Sequence, residues 1–202
     1  FPEAMVITDT DEAVITNITF EGQYNVVCIG NGMGTEATTQ QAFGAFIKEN
    51  KLPLVIDADG INMLSLNKEL LTNLPPDLSV LTPHKKELER LIGVWKDDFE
   101  MLDKAKSFSN AHNCVIVIKD AVTITIYKDE MYINASGNHA LATAGSGDVL
   151  AGVISGLIAQ QYSPLEAAIF GVYLHGRTAD VALEDTGYES FIASDAIEYL
   201  AE

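Results

Sequence analysis

The sequence predicts an α/β fold, in which a central, mostly parallel sheet carries helices on both faces. Short apolar runs alternate along the chain with helical segments. The runs are apolar throughout and do not alternate with polar residues, which is typical of parallel strands that are covered on both sides. At 202 residues and 48% hydrophobic, the chain can bury the core of one domain. We therefore expect three layers, built by a single domain over residues 1–202.

Four apolar runs are the predicted parallel strands, at residues 24–29, 54–56, 78–81 and 115–118. Residues 122–135 then form two β-rich stretches around a polar turn, which predicts an antiparallel hairpin at one edge of the sheet. Helices are predicted at 35–50, at 85–92, and from Gly145 to the end of the chain, where Ser163 with Pro164 and then Ala193 mark two helix starts.

Charge and composition exclude several classes of function. The chain has 12 basic and 29 acidic residues, a formal net charge of −17, whereas nucleic acids and anionic membranes are bound by clustered Lys and Arg. No apolar run approaches the ~20 residues that span a bilayer, and the first residues lack the pattern of a secretory signal. We therefore expect a cytoplasmic protein with no nucleic-acid or membrane partner. Cys28 and Cys114 both lie in apolar runs and are predicted to be small buried residues.

Glycine-rich or polar clusters follow the predicted strands, and ligands bind at this edge of a parallel sheet. Residues 30–35 (GNGMGT) predict either a phosphate-binding turn or an ordinary tight turn. Asp57 and Asp59 predict either ligands for a metal or sugar hydroxyl, or helix caps. His84 could touch a ligand or be structural. Lys119 ends a buried strand and requires an anion or a carboxylate partner.

The segment 138–152 (NHALATAGSGDVLAG) is the strongest candidate site. Gly145, Ser146 and Gly147 leave bare backbone amides at the start of a predicted helix, which is a favourable place for an anion. Asp148 follows directly, and it is either a helix-capping residue or a base that removes the proton of an attacking hydroxyl. The helix after it has small residues, Gly152 and Gly156 among them, that suit close packing on a neighbour. We expect the other histidines, His112, His139 and His175, to be structural.

The ordered set of motifs resembles the ADP/ATP-dependent NAD(P)H-hydrate dehydratases, which are ribokinase-like relatives of carbohydrate kinases. The resemblance runs through essentially the whole chain. The matching stretches are 30–34 (GNGMG), 55–62 (VIDADGIN), 81–91 (LTPHKKELERL), 119–123 (KDAVT), 138–152, 172–182 (VYLHGRTADVA) and 191–200 (FIASDAIEYL).

The resemblance implies the repair of NADHX and NADPHX, the hydrated forms of reduced nicotinamide cofactors, with ADP or ATP as phosphoryl donor and Mg²⁺. It implies that the hydroxyl at C6 is phosphorylated and that phosphate then leaves. Asp148 would be the catalytic base. The residues expected to bind substrate are Gly32, Gly34, His84 and Asp148. Those expected to bind the nucleotide are Lys119, Asp120, Ala121, Val122, Thr123, Gly145, Ser146 and Gly147.

The chain departs from the family pattern at several positions. The glycine turn usually reads GPGLG, but here it carries Asn31 and Met33, which we expect to loosen the turn. Asp120 replaces a glycine and adds a negative charge, which Lys85 and Lys86 could compensate. Family members also have further strands and helices before the position that aligns with Phe1, so we expect an N-terminally incomplete domain with an exposed strand edge.

Two other classes of function remain open from the sequence. A kinase for a sugar, a hydroxymethylpyrimidine or a thiazole alcohol would share the GSGD chemistry but would stop at the phosphorylated product. An inactive nucleotide-binding module is the alternative outside the enzymes. We also expect a homo-oligomer, because faces of small residues such as Gly152 and Gly156 can pack between subunits.

Overall fold

The computed structural model describes residues 4–20, 22–183 and 185–201. Six strands form one sheet in the order β1 to β6. The first four strands are parallel, and β4, β5 and β6 pair antiparallel, so the predicted sheet and its hairpin at one edge are confirmed. The strands are β1 Val27–Ile29, β2 Leu54–Ile56, β3 Ser79–Leu81, β4 Cys114–Ile118, β5 Ile124–Tyr127 and β6 Glu130–Ile133.

Seven α-helices connect or follow these strands in the described part of the chain. Ser163 caps α6 through a reciprocal capping box with Glu166, and Pro164 is its first residue, so the predicted helix start is confirmed. No helix of the described ranges is long and apolar enough to cross a membrane. The helices are α1 Ala37–Glu49, α2 Ala58–Leu66, α3 Lys85–Ile92, α4 Asp98–His112, α5 Ser146–Ala159, α6 Pro164–Ala182 and α7 Ala193–Glu198, with 3₁₀ turns at Lys68–Asn73, His139–Leu141 and Tyr199–Ala201.

The strands bury apolar side chains on both faces of the sheet, which gives the predicted three layers. Successive side chains of a strand point to opposite faces. Leu54 and Ile56 pack among residues of α1 to α4, whereas Val55, between them, packs with residues of α5 and α6. All three side chains are fully buried. The unalternating apolar runs of the sequence therefore reflect a sheet that has a core on each side.

Strand β1 is shorter and more exposed than the sequence predicted. Regular pairing covers only Val27–Ile29, and β1 has β2 as its one strand partner among the described residues. The prediction that both cysteines are buried is wrong for Cys28, which is exposed because it lies on this edge strand. Cys114 lies on central β4 and is buried, and burial raises the pKa of its thiol to about 12.

Gly152 and Gly156 of α5 do not pack closely on a neighbour within the described structure, contrary to the sequence prediction. A Cβ atom built on Gly152 or Gly156 has no other atom within 4 Å. The helix instead buries Leu150, Ile154 and Ile158 against the sheet and α6. The larger apolar residues therefore determine which face of α5 turns inward.

The ends of β1 and β2 touch through their backbones, and this contact needs glycine. At Gly30 the backbone has φ +121°, and a Cβ there would lie 2.0 Å from the carbonyl oxygen of Asp57 and 2.7 Å from the nitrogen of Gly60. The carbonyl of Gly30 accepts a hydrogen bond of 3.1 Å from the N–H of Asp59. The loop after β1 is thereby held against the loop after β2.

Gly30→Ala is expected to lower the free energy of unfolding by about 3 kcal/mol or more, because backbone atoms must move to admit the methyl group. Gly32→Ala is the matched control. Its φ of +64° is also left-handed, but nothing lies within 4 Å of the added carbon, so we expect a loss of only about 1–2 kcal/mol. Urea denaturation of both variants measures the difference. Equal losses would show that the contact between the two loops does not require glycine.

Candidate active site

The carboxyl ends of β1, β2 and β4 converge on the beginning of α5. The residues after these strands supply Asn31, Asp57 and Lys119, and the first turn of α5 supplies Asp148. Hydrogen bonds join all four side chains in one row. This is the edge of a parallel sheet at which ligands usually bind.

Asp57 and Lys119 form a largely buried ion pair at one end of this row. Lys119 Nζ lies 2.6 Å from Asp57 Oδ1, and the two side chains are 21% and 2% exposed. The sequence prediction that Lys119 requires a partner is therefore confirmed. Asp57 is the N-cap residue of α2, but its side chain makes no capping bond, because the carboxylate bonds Lys119 and Asn31 instead.

Asn31 joins this ion pair to Asp148. Its side-chain amide nitrogen donates to Asp57 Oδ2 at 3.2 Å and to Asp148 Oδ1 in a short hydrogen bond. From the sequence, Asn31 is expected only to loosen the glycine turn. No local pattern indicates these two bonds, because their acceptors are 26 and 117 positions away along the chain.

The beginning of α5 offers free backbone donors beside Lys119. Gly145 has φ +84° and starts the helix, and Ser146 N–H donates to the carbonyl of Thr143 at 3.3 Å. Among the described residues, the N–H groups of Gly145, Gly147 and Asp148 have no acceptor. A Cβ on Gly147 would lie 3.3 Å from Lys119 Nζ. Free amides, the positive end of a helix and an ammonium group therefore meet at one point, which favours an anion there.

Ser146 links the beginning of α5 to α6. Its hydroxyl lies 3.2 Å from His175 Nε2 on α6, and both side chains are buried. Burial lowers the pKa of His175 to about 4, and nearby Lys119 lowers it further, while the contact with Ser146 opposes this shift. His175 is consequently neutral at pH 7, and the expectation that it is structural is confirmed. The hydroxyl of Ser146 therefore makes a hydrogen bond within the fold.

The loop between β4 and β5 holds the remaining residues predicted to bind the nucleotide. Asp120 forms an ion pair of 2.7 Å with Lys85, which lowers the pKa of Asp120 and raises that of Lys85. The predicted local compensation of the extra acid is thus confirmed for Lys85. Val122 is half exposed, Ala121 is exposed, and the carbonyl of Thr123 accepts from Asn134 N–H at 3.0 Å.

The glycine turn and His84 lie on the same edge of the sheet. Gly34 N–H donates to Asp59 Oδ2 at 2.9 Å, while Gly32 is exposed with open space around it. The His84 Nδ1 atom accepts from two N–H groups at the start of α3, and the Glu87 carboxylate accepts from the backbone N–H of His84. His84 therefore caps α3, while about half of its side chain, 51%, remains exposed.

No group of three or more His, Cys, Asp or Glu side chains within residues 4–20, 22–183 and 185–201 is arranged to hold a metal ion. Mg²⁺ commonly retains several waters and binds through substrate phosphates, with one or two protein carboxylates. The described residues therefore fit a metal that arrives with a nucleotide better than one held in a cage of protein ligands.

Comparison with known proteins identifies the family. The sequence profile described as NAD(P)H-hydrate dehydratase matches residues 1–202. The chain belongs to this family. A bifunctional NAD(P)H-hydrate repair enzyme from Moorella thermoacetica is 36% identical over 181 residues, which are 88% of this chain and 34% of that protein. An ADP-dependent (S)-NAD(P)H-hydrate dehydratase from Neisseria meningitidis is 37% identical over 193 residues, 93% of this chain and 63% of that protein. The chain thus spans between a third and two thirds of the length of these relatives.

Solved structures confirm the fold. The ADP/ATP-dependent NAD(P)H-hydrate dehydratase of Bacillus subtilis, co-crystallised with ATP and Mg²⁺, superposes with a TM-score of 0.73 at 26% identity, covering 92% of this chain and 66% of that one. The ribokinase of Thermotoga maritima has a TM-score of 0.56 at 19% identity, covering 88% and 57% of the two chains. The predicted ribokinase-like α/β architecture is therefore confirmed.

The buried His175 is expected to make stability depend on pH. Its pKa in the folded chain, about 4, lies below the ordinary histidine value of 6.5, so the unfolded chain binds more protons between these values. Its contribution is fully present above pH 6.5 and is lost as the pH falls toward 4, by up to about 3 kcal/mol. Urea denaturation at several pH values measures this loss. His175→Gln should flatten the curve in that window, and an unchanged slope would contradict the assignment.

Proposed function

We propose that this chain carries out the nucleotide-dependent dehydration of (S)-NADHX and (S)-NADPHX to NADH and NADPH. The observation that carries the proposal is the juxtaposition of the Asp148 carboxylate with the free amides of Gly147 and Asp148 and the ammonium of Lys119. A base and an anion site side by side are what phosphoryl transfer to a hydroxyl requires. The activities named for the Moorella and Neisseria relatives support the same reaction.

The nucleotide, ADP or ATP, is proposed to bind between the loop 119–123 and the beginning of α5. Lys119 supplies a fixed positive charge, and Gly145 and Gly147 supply backbone donors that no side chain of their own covers. Ser146 contributes by anchoring this turn through His175. Asp120, Ala121, Val122 and Thr123 are proposed to lie along the nucleotide. Mg²⁺ supplies further positive charge for the phosphates when it is bound with the nucleotide.

The hydrated nicotinamide is proposed to bind between the glycine turn and His84. Gly32 is open to solvent and leaves room for a ligand, while Asp59 holds Gly34 in place. Half of the His84 side chain is available for contact. We propose that the C6 hydroxyl of the substrate faces Asp148, which is exposed at the start of α5.

The proposed reaction has two stages. Asp148 accepts the proton of the C6 hydroxyl as the hydroxyl oxygen forms its bond to the terminal phosphoryl group of the nucleotide, while Lys119 and the N–H of Gly147 stabilise the charge on the phosphoryl oxygens. The bond between C6 and oxygen then breaks. Inorganic phosphate leaves with the electron pair, and loss of a proton from the neighbouring carbon restores the ring double bond of NAD(P)H.

The decisive experiment incubates the chain, and the full-length protein where further segments exist, with (S)-NADHX, ADP or ATP and Mg²⁺. Recovery of NADH absorbance with stoichiometric release of phosphate is expected. Asp148→Asn should reduce turnover by at least about 100-fold, because the base is lost. Its affinity for ADP, measured by calorimetry, should change little.

Matched control variants and alternative outcomes sharpen this test. Asp129→Asn changes a carboxylate in the turn between β5 and β6, which bonds Asn110 far from the site, and should leave turnover unchanged. Near-normal turnover of Asp148→Asn would contradict the role of base. Accumulation of a phosphorylated alcohol without NADH would indicate a kinase, and binding of ADP without any turnover would indicate an inactive module.

We further propose that copies of the chain associate and act in the cytoplasm. Gly152 and Gly156 support association because they form an uncovered face of α5 with nothing within 4 Å of either added Cβ. Light scattering coupled to size exclusion is expected to show a dimer or larger assembly, and Gly156→Glu should shift it toward the monomer if α5 is involved. A monomer at all concentrations would contradict the proposal.

A further inference from the structure

We propose that Asn31 is a positioning residue that holds the carboxylate of Asp148 against the buried pair of Asp57 and Lys119. The role rests on the proposed function only in that Asp148 acts there as the base. One amide nitrogen donates its two hydrogens to two different carboxylates, Asp57 Oδ2 and Asp148 Oδ1. The inference goes beyond the family pattern, which usually has proline at this position.

The orientation of the Asn31 amide follows from its neighbours. Ionised carboxylates accept hydrogen bonds but cannot donate them, whereas an amide NH₂ group has two donors. An amide oxygen turned toward Asp57 and Asp148 would face two acceptors without a hydrogen between them. The remaining oxygen, Oδ1, lies 4.0 Å from Cys28 Sγ, a weak donor. Nδ2 must therefore be the atom between the carboxylates.

We call the hydrogen-bonded set of Asp57, Asn31 and Asp148 the clamp. Asp57 is its fixed end. Its side chain is 2% exposed, and Lys119 holds its second oxygen at 2.6 Å. Asp148, by contrast, is exposed on the first turn of α5. Asn31 therefore ties the exposed carboxylate of Asp148 to the buried carboxylate of Asp57, whose position is fixed. Without the two hydrogens of Asn31, the carboxylates of Asp57 and Asp148 would have no donor between them and would repel each other.

The other charged and titratable groups near Asp148 have partners of their own. Lys119 is paired with Asp57, and His175 of α6 is neutral and bonded to Ser146. On α7, which packs against α5, the carboxylate of Asp195 accepts from Ile192 N–H. Among the described residues, Asn31 is the one side chain that donates a hydrogen bond to the Asp148 carboxylate.

The clamp itself can be tested without turnover, by nuclear magnetic resonance of the Asn31 side-chain NH₂ group. The signal is assigned by its loss in Asn31→Ala. Two separate proton resonances, both slowed in exchange with solvent, are expected. Asp148→Asn should move one of them upfield, because a charge-assisted hydrogen bond becomes a neutral one. The NH₂ signal of Asn110, which also bonds a carboxylate, should not respond. An Asn31 signal that ignores Asp148→Asn would overturn the proposal.

The positioning role is tested by kinetics of the same protein. Asn31→Ala removes both donors, and Asn31→Asp replaces them with a third carboxylate of equal size. We expect kcat to fall by about 10-fold and by about 100-fold respectively, since small displacements of a reacting group have effects of this order. The KM for the nucleotide should change by less than about 3-fold, because Lys119 and the α5 amides stay in place.

Further variants separate positioning from general damage. Asn110→Asp removes a comparable hydrogen bond, the one that the side-chain amide of Asn110 on α4 donates to Asp129, and should retain full turnover. In the Asp148→Asn background, Asn31→Ala should reduce the residual rate no further, because there is no base to position. An additive loss, or a normal kcat in Asn31→Asp, would overturn the positioning role. A wild-type chain without NADH production would instead refute the proposed function, and the resonance experiment would still decide the clamp.

Discussion

The ion pair between Asp57 and Lys119 is the interaction on which the site depends. Asp57 is 2% exposed, and breaking such a pair by removing one partner costs about 3–5 kcal/mol, because a buried charge is left alone. The pair also sets positions, since it holds the ammonium near Gly147 and offers its second carboxylate oxygen to Asn31. Gly30 lets the loop after β1 lie directly against the backbone of Asp57, and the next residue, Asn31, bonds the carboxylate of this pair.

The same pairing explains how a chain with a net charge of −17 can present an anion site. The acids near the beginning of α5 each have a specific partner, which is a lysine for two of them and a neutral amide for the third. Lys119 forms an ion pair with Asp57, Lys85 forms one with Asp120, and Asn31 donates a hydrogen bond to Asp148. The charges of Asp57 and Asp120 are therefore compensated by lysines, which leaves Asp148 as the acid beside the free amides that has no ion pair among the described residues. Because distant surface charges are screened by salt over about 10 Å, this local arrangement outweighs the overall charge of the chain.

Sequence reasoning predicted the layers and most strands because burial on both faces leaves a direct trace, as in 54–56 and 115–118. It also indicated that Lys119 needed a partner, since an unpaired buried lysine is too costly. It missed the exposure of Cys28, because an edge strand has the same apolar composition as a central one. Nor could it predict which side of α5 faces inward, since Gly152 and Leu150 are equally compatible with a helical pattern.

Asn31 shows why a motif comparison alone was insufficient. Compared with the usual proline of the family, the residue suggested a looser turn, because proline restricts the backbone. Proline, however, has no hydrogen to donate, whereas Asn31 bonds two carboxylates, one directly after β2 and one in the first turn of α5. The side chain of Asn31 thus adds two hydrogen bonds that proline cannot make. A substitution that weakens a local motif can strengthen the site when its new partners lie across the sheet, and only the folded arrangement reveals which effect prevails.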